Sequence, residues 1–263
     1  MNNWTYFNEK YGEPIGAGAQ CQVYRRGDTV YKVLSEGHLL YNALQEGYAL
    51  AVAELLELPV SKIHGVYTEA GHIVMEMDYV KGEPLMNRIL KAAAENDTET
   101  SVAYLKKLAL LLSLLHKKQA GGLQDTRKYY ALYLTLLPDV PETLQKNLLR
   151  LIETLPDGTA LCHNDFHAQN VMIDGDDCTV IDWDSATIGD AAGDAAHSYL
   201  ATRLAFGEEG AKVFLDEYMS LTGVTRERIE AWLPLHAFVL YYNIKAGLPE
   251  KAKEMEPFFT ALS

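Results

Sequence analysis

A chain of 263 residues can form one large domain or two lobes and can bury a substantial core, so no disulfide or metal staple is required. With 48% hydrophobic and 22% charged residues the composition excludes disorder as the default, and a net charge of −13 argues against nucleic acid as a partner, because a phosphate backbone would be repelled. Three cysteines, Cys21, Cys162 and Cys178, form no CxxC pair, and an odd count points to a reducing compartment, the cytoplasm.

In chain order, the opening Met1 to Thr5 lacks a basic segment followed by an apolar one, and the longest apolar run, around Leu108 to Leu115, is too short to span a bilayer, so no membrane association is expected. From Ile15 to Leu34 the pattern predicts strand, glycine turn, strand, tight turn and strand, with Gln22 to Arg25 and Thr29 to Val33 flanking Gly27-Asp28. Apolar residues at helical spacing predict a helix from about His38 to Glu57, which stops before Pro59. Strands follow at Ser61 to Tyr67 and His72 to Met77, around the turn at Glu69-Ala70-Gly71. Beyond Tyr79 the break at Lys81-Gly82-Glu83-Pro84 gives way to helical segments, which divides the chain into lobes 1–79 and 80–263. Asp97 to Ser101 supplies helix-start chemistry ahead of a stripe of Val102, Leu105, Leu108, Leu112 and Leu115, a core face ending near His116. Helical stretches run to Leu155, a loop with short strands occupies Ala160 to Trp183, and helices resume to the end. The fold class is α+β: an antiparallel sheet lobe with one helix, then a larger and mainly helical lobe.

The chemistry is concentrated in His163-Asn164-Asp165-Phe166-His167-Ala168-Gln169-Asn170, followed by Val180-Ile181-Asp182-Trp183-Asp184. Phosphoryl transfer needs an oriented acceptor hydroxyl and divalent cations that neutralise the phosphates, and an Asp, an Asn and a second Asp can supply both. The spacing from Asp165 to Asn170 is that of a protein kinase catalytic loop, with Asp182 in the place of the metal-binding Asp.

HNDFHAQNVMI and VIDWD resemble the aminoglycoside phosphotransferase pattern HGDLHPGNIL and VIDW, the pattern of the aminoglycoside phosphotransferase and choline kinase family within the protein-kinase-like superfamily. Ile188 to Ala196 resembles the family's IGDPxxDLA segment, and Leu112 to His116 its LxxLH helix end. The resemblance implies a bilobal fold and a small-molecule kinase that uses ATP or GTP with magnesium. The acceptor it implies is a hydroxyl on a small molecule, including cationic ones such as an aminoglycoside, an amino sugar or a choline-like alcohol. Asp165 would accept or orient the hydroxyl proton, and Asn170 and Asp182 would hold magnesium. Gly16 and Gly18 sit where a glycine loop belongs, Val23 would contact the base, Lys32 would reach the phosphates, and Glu46 would aim that lysine. Backbone groups of Glu76 and Asp78 would meet the purine edge. His163 and His167 would fix the loop by packing and hydrogen bonding, while Asp190 would cap a helix and Asp194 would be structural. A monomer is the default.

Two other readings stay open on the residues alone. A pseudokinase would bind nucleotide without turnover. A metal-dependent hydrolase would use His163 and His167, four apart, if that segment were a helix.

Overall fold

The computed structural model describes residues 4–18 and 21–262. Ala19 and Gln20, at the tip of the expected glycine turn, and Met1 to Asn3 of the opening segment lie outside the described residues. The chain divides into two compact units, residues 1–83 with 172–185, and residues 84–171 with 186–263.

The first unit is built on a five-stranded antiparallel sheet in the order β1-β2-β3-β5-β4, with β1 at Gly16–Ala17, β2 at Cys21–Arg26, β3 at Thr29–Leu34, β4 at Ile63–Glu69 and β5 at His72–Asp78. Alternation along the strands sorts the side chains onto two faces. Tyr24, Val33 and Val74 pack against Phe7 of α1 (Trp4–Tyr11) on one face. Leu34 and Met75 pack with Ala43 of α2 (Leu40–Leu55) on the other. The helix α1 was not expected from the sequence. Its aromatic residues are indifferent helix formers and its first turn carries no acid, so packing on the sheet holds it in place.

Residues 172–185 join this unit through backbone pairing. After β6 (Glu83–Pro84) and the intervening helices, β8 (Val171–Asp174) and β9 (Asp177–Val180) form a hairpin, and the Val180 N–H donates to the Pro59 carbonyl at 2.8 Å. Gly82, at φ 98°, lies so close that a Cβ would stand 2.1 Å from the Ile173 carbonyl oxygen, so only glycine fits there. The division at 79/80 read from the sequence is contiguous and therefore differs from the structure over these residues.

The second unit is mainly helical: α3 (Leu85–Ala94), α4 (Thr98–His116), α5 (Thr126–Leu136), α6 (Glu142–Thr154), α7 (Ala191–Thr222), α8 (Arg226–Glu230), α9 (Leu233–Ile244), α10 (Pro249–Lys253) and α11 (Glu256–Phe259), with a two-stranded sheet of β7 (Ala160–Cys162) and β10 (Thr187–Gly189). Asp97 caps α4 by accepting from the Thr100 N–H at 3.0 Å, and Leu105, Leu108, Leu112 and Leu115 are all buried. Asp190 caps α7 in the same way through the Ala192 N–H at 3.1 Å. Its other oxygen accepts from Arg228 Nε and Trp232 Nε1, each at 3.0 Å, which ties the start of α7 to α8 and to the turn before α9. The helix breaks at Gly207, whose φ of 74° and ψ of −176° are non-helical. No helix among the described residues is long and apolar enough to cross a membrane.

Candidate active site

Lys32 stands in the middle of β3, directly opposite Val23 of β2 and Met75 of β5. The two-residue period turns it to the face covered by α2, where Nζ donates to both carboxylate oxygens of Glu46, at 2.8 and 3.0 Å, and to Oδ1 of Asp182 at 2.7 Å. The other acids late in this helical segment face elsewhere: Glu54 pairs with Lys62 at 3.4 Å, and Glu57 lies exposed past the helix end. Burial works against the Lys32 ammonium, but the carboxylates of Glu46, Asp182 and Asp184 outweigh it and hold its pKa above the ordinary value. Burial also raises Glu46, and Asp182 and Asp184 add to that rise against the opposing pull of Lys32. One ammonium among three carboxylates leaves surplus negative charge on oxygen ligands, the environment a hard divalent cation takes. Asp182 itself has φ 65°, a left-handed conformation uncommon outside glycine, and the buried Trp183 beside it donates from Nε1 to the Val180 carbonyl at 3.0 Å.

Gly16 pairs with Val23 across the β1–β2 hairpin, and the Gly18 N–H donates to the Cys21 carbonyl at 3.0 Å. Glu76 lies within β5 and Asp78 at its end. β5 is flanked on both sides, with Glu76 opposite Tyr31 of β3 and Gly65 of β4, so its backbone lies inside the ladder. The Asp78 N–H donates to the Lys62 carbonyl at 3.0 Å, and its carbonyl accepts from Ser61 Oγ at 2.7 Å. These groups serve the sheet and its edge.

In the second unit, β7 delivers the chain to His163, where one buried carboxylate organises the loop. Asp194 accepts from the His163 N–H at 2.6 Å and from the Asn164 N–H at 2.8 Å, and lies 3.1 Å from His116 Nε2. Asn164 takes φ 62°, a conformation glycine adopts freely and asparagine tolerates, at the position where the phosphotransferase pattern has glycine. His163 Nδ1 accepts from the Asp165 N–H and His167 Nδ1 from the Gln169 N–H, each at 3.3 Å. The 3₁₀ turn at Ala168–Asn170 then folds Asn170 back, and its Nδ2 donates to the Asp165 carbonyl and to Asp165 Oδ2, both at 3.0 Å. Oδ1 of Asp165 faces His197 Nε2 at 3.2 Å and His167 Nε2 at 3.5 Å. Burial would raise the Asp165 pKa, but the hydrogen bonds and charge of His167 and His197 prevail and hold it well below the usual carboxylate range.

This loop geometry removes the metal-hydrolase alternative, because residues 163–167 are not helical and the two histidines instead accept from loop amides. A tighter trio, His116, Cys162 and Asp194, has ligand atoms within 4.8 Å of one another. Burial pushes the Cys162 thiol well above its ordinary value, and both nitrogens of His116 are engaged, by Tyr218 at 2.7 Å and Asp194 at 3.1 Å. It is a hydrogen-bonded core cluster.

A sequence model described as the phosphotransferase enzyme family matches residues 12–232. This chain belongs to the phosphotransferase enzyme family. As a member it is a phosphotransferase that acts on a hydroxyl group. A comparison with curated protein sequences finds no match. Among solved structures, a thermostable mutant of the aminoglycoside phosphotransferase APH(4)-Ia aligns with TM-score 0.67 at 16% identity, over 98% of this chain and 97% of that one. The choline kinase LicA from Streptococcus pneumoniae aligns with TM-score 0.66 at 17% identity, over 98% and 99% of the two chains. An aminoglycoside-3'-phosphotransferase of type VIII aligns with TM-score 0.64 at 22% identity, over 84% and 89%. These likenesses establish a bilobal, kinase-like α+β fold for this family member.

In this phosphotransferase the residue that motif reading passed over is His197. It follows Asp194 by three positions on α7, so both project from one helical face toward the loop. That spacing was the available signal, but it means something only once α7 is known to pack behind residues 163–170.

Proposed function

We propose that this phosphotransferase moves the γ-phosphoryl group of ATP or GTP onto a hydroxyl of a small molecule. Asp165 orients that hydroxyl and receives its proton. The carrying observation is the Asp165 carboxylate, kept ionised and fixed in orientation by Asn170 on one oxygen and His197 on the other. A carboxylate with a depressed pKa is a weak base in the ground state. It therefore aligns the nucleophile by hydrogen bonding and takes the proton as the bond to phosphorus forms.

In this reading the first unit binds nucleotide, with Gly16, Gly18 and Val23 along the hairpin and Lys32, aimed by Glu46, at the phosphates. Magnesium fits the donors available: Asp182 brings a carboxylate in a region of surplus negative charge, and Asn170, whose Nδ2 is turned to Asp165, offers its amide oxygen. When bound it would neutralise and bridge nucleotide phosphates. A solved neighbour described as a ternary complex of APH(4)-Ia with AMP-PNP and hygromycin B supports the nucleotide and small-molecule parts of this reading. Three free thiols suit a cytoplasmic setting.

The test is mass-spectrometric detection of phosphorylated product after incubation with MgATP or MgGTP and a panel of aminoglycosides, amino sugars, choline-like alcohols and neutral alcohols. Asp165→Asn is expected to lower kcat by roughly 10²–10⁴ with nucleotide binding retained. Nucleotide binding with no transfer to any alcohol would favour the pseudokinase reading, and full activity in Asp165→Asn would contradict the assigned role.

A further inference from the structure

Beside the loop that carries Asp165, the second unit holds a hollow of about 320 Å³. His167 and Gln169 edge it. Its walls are Ala201, Ala205 and Phe206 of α7 with Leu240 and Ile244 of α9, and Lys251 of α10 stands at its margin. Two routes connect it to the Asp165 carboxylate. His167 lines the hollow and also places Nε2 3.5 Å from Asp165 Oδ1. Ala201 lies one helical turn, a rise of about 5.4 Å, beyond His197, which touches the same oxygen at 3.2 Å. The volume is at the lower end of small-ligand sites, so a compact molecule fills it.

The break in α7 shapes the hollow. Gly207 ends the first half of the helix just past Phe206, and the Leu204 carbonyl accepts from Lys251 Nζ at 3.0 Å. That contact holds a cation at the margin.

The charge pattern then selects the ligand. Among the described residues no carboxylate lines the hollow, and Lys251 is its one permanently charged side chain. Of the acids that follow the break, Glu208 pairs with Arg203, Asp216 with Lys212 at 2.6 Å and Glu217 with Lys106 at 3.0 Å, and Glu209 is exposed and does not line the hollow. Glu254 pairs with Lys251 itself at 3.4 Å. A cation entering an apolar site needs a carboxylate or several aromatic faces, and Phe206 is the sole aromatic carbocycle among the described lining residues.

We infer that the acceptor is an alcohol with an apolar body and no cationic group, seated in this hollow with its hydroxyl toward Asp165. The inference rests on the phosphotransfer reading for the role of Asp165, and it departs from the cationic acceptors that the sequence pattern suggested.

The test compares choline with neopentyl carbinol, its neutral carbon isostere, by methyl NMR of the full chain without nucleotide, following Met86, Leu240 and Ile244. Neopentyl carbinol should shift these methyls saturably, with at least about tenfold higher affinity than choline. Ala205→Glu, at an exposed position that the fold tolerates, should shrink or reverse that ratio. Equal or tighter binding of choline by the unmodified protein, or no shift of these methyls with either alcohol, would overturn the inference. Because the measurement involves no transfer, its failure leaves nucleotide binding untouched, and failure of transfer to every alcohol leaves this result standing.

Discussion

Asp165 and Lys32 hold their charges by opposite routes. Asp165 is ionised because His167 and His197 outweigh its burial, so its pKa in the fold lies below the unfolded value near ~3.9. Its contribution to stability is therefore present above that value and lost as pH falls through the folded pKa. Replacing His197 by Asn removes one of the two groups that depress it. The acid limb of the kcat/KM profile should move to higher pH in His197→Asn, whereas a merely structural loss would lower the profile without shifting it. Lys32 is charged because carboxylates surround it. Lys32→Met would leave Glu46, nearly buried, beside Asp182 with no compensating cation, and breaking a buried pair from one side costs about 3–5 kcal/mol. Urea denaturation should show that loss at pH 7. The deficit should narrow as pH falls toward Glu46 protonation, since a raised carboxylate pKa stabilises the fold at low pH and ceases to do so as pH rises through it.

At the level of elements, α7 and α9 carry the strongest pH signature. His236 of α9 is fully buried with neither ring nitrogen hydrogen-bonded, and its ring lies 5.6 Å from that of His197. Burial first, and then His197, push its pKa down to about 3. The unfolded chain binds a proton near ~6.5 that the folded chain refuses, so stability present above that pH is lost between there and about 3. His236→Phe should flatten the stability profile in that window by up to about 1.4 kcal/mol per pH unit, measured by denaturation from pH 6 to pH 4. Elements differed in how far the sequence announced them. Helix α4 was readable because a capping Asp97 and a leucine stripe are both local signals. The break in α7 was not, because Gly207 within a helical pattern reads as a tolerated glycine until its φ of 74° is seen. The Asp165, Asn170 and Asp182 pattern was legible through spacing alone. His197, and the engagement of Asp78 by Ser61 and Lys62, depend on contacts between segments distant in sequence.

For the whole molecule, the two units have different physical characters. The first is a sheet whose half-buried Lys32 cluster concentrates charge, and the second is a helical body that fixes one loop through Asp194. Residues 172–185 belong to the first unit although the residues before and after them belong to the second, and this could not be read from a chain-order boundary because the pairing partner of Val180 lies at Pro59. In the proposed phosphotransfer, Asp182 and its surplus of negative charge serve a magnesium-bound nucleotide. The measurement that tests it most directly is a thermal shift with ATP or GTP, with and without magnesium, on the unmodified protein and on Asp182→Ala. Ligand at about 100 times its Kd adds about 2.7 kcal/mol, a rise of several degrees for a chain of this size. A magnesium-dependent rise is expected for at least one nucleotide and should be lost in Asp182→Ala. No rise with either nucleotide at millimolar concentration, or an equal rise in Asp182→Ala, would contradict it.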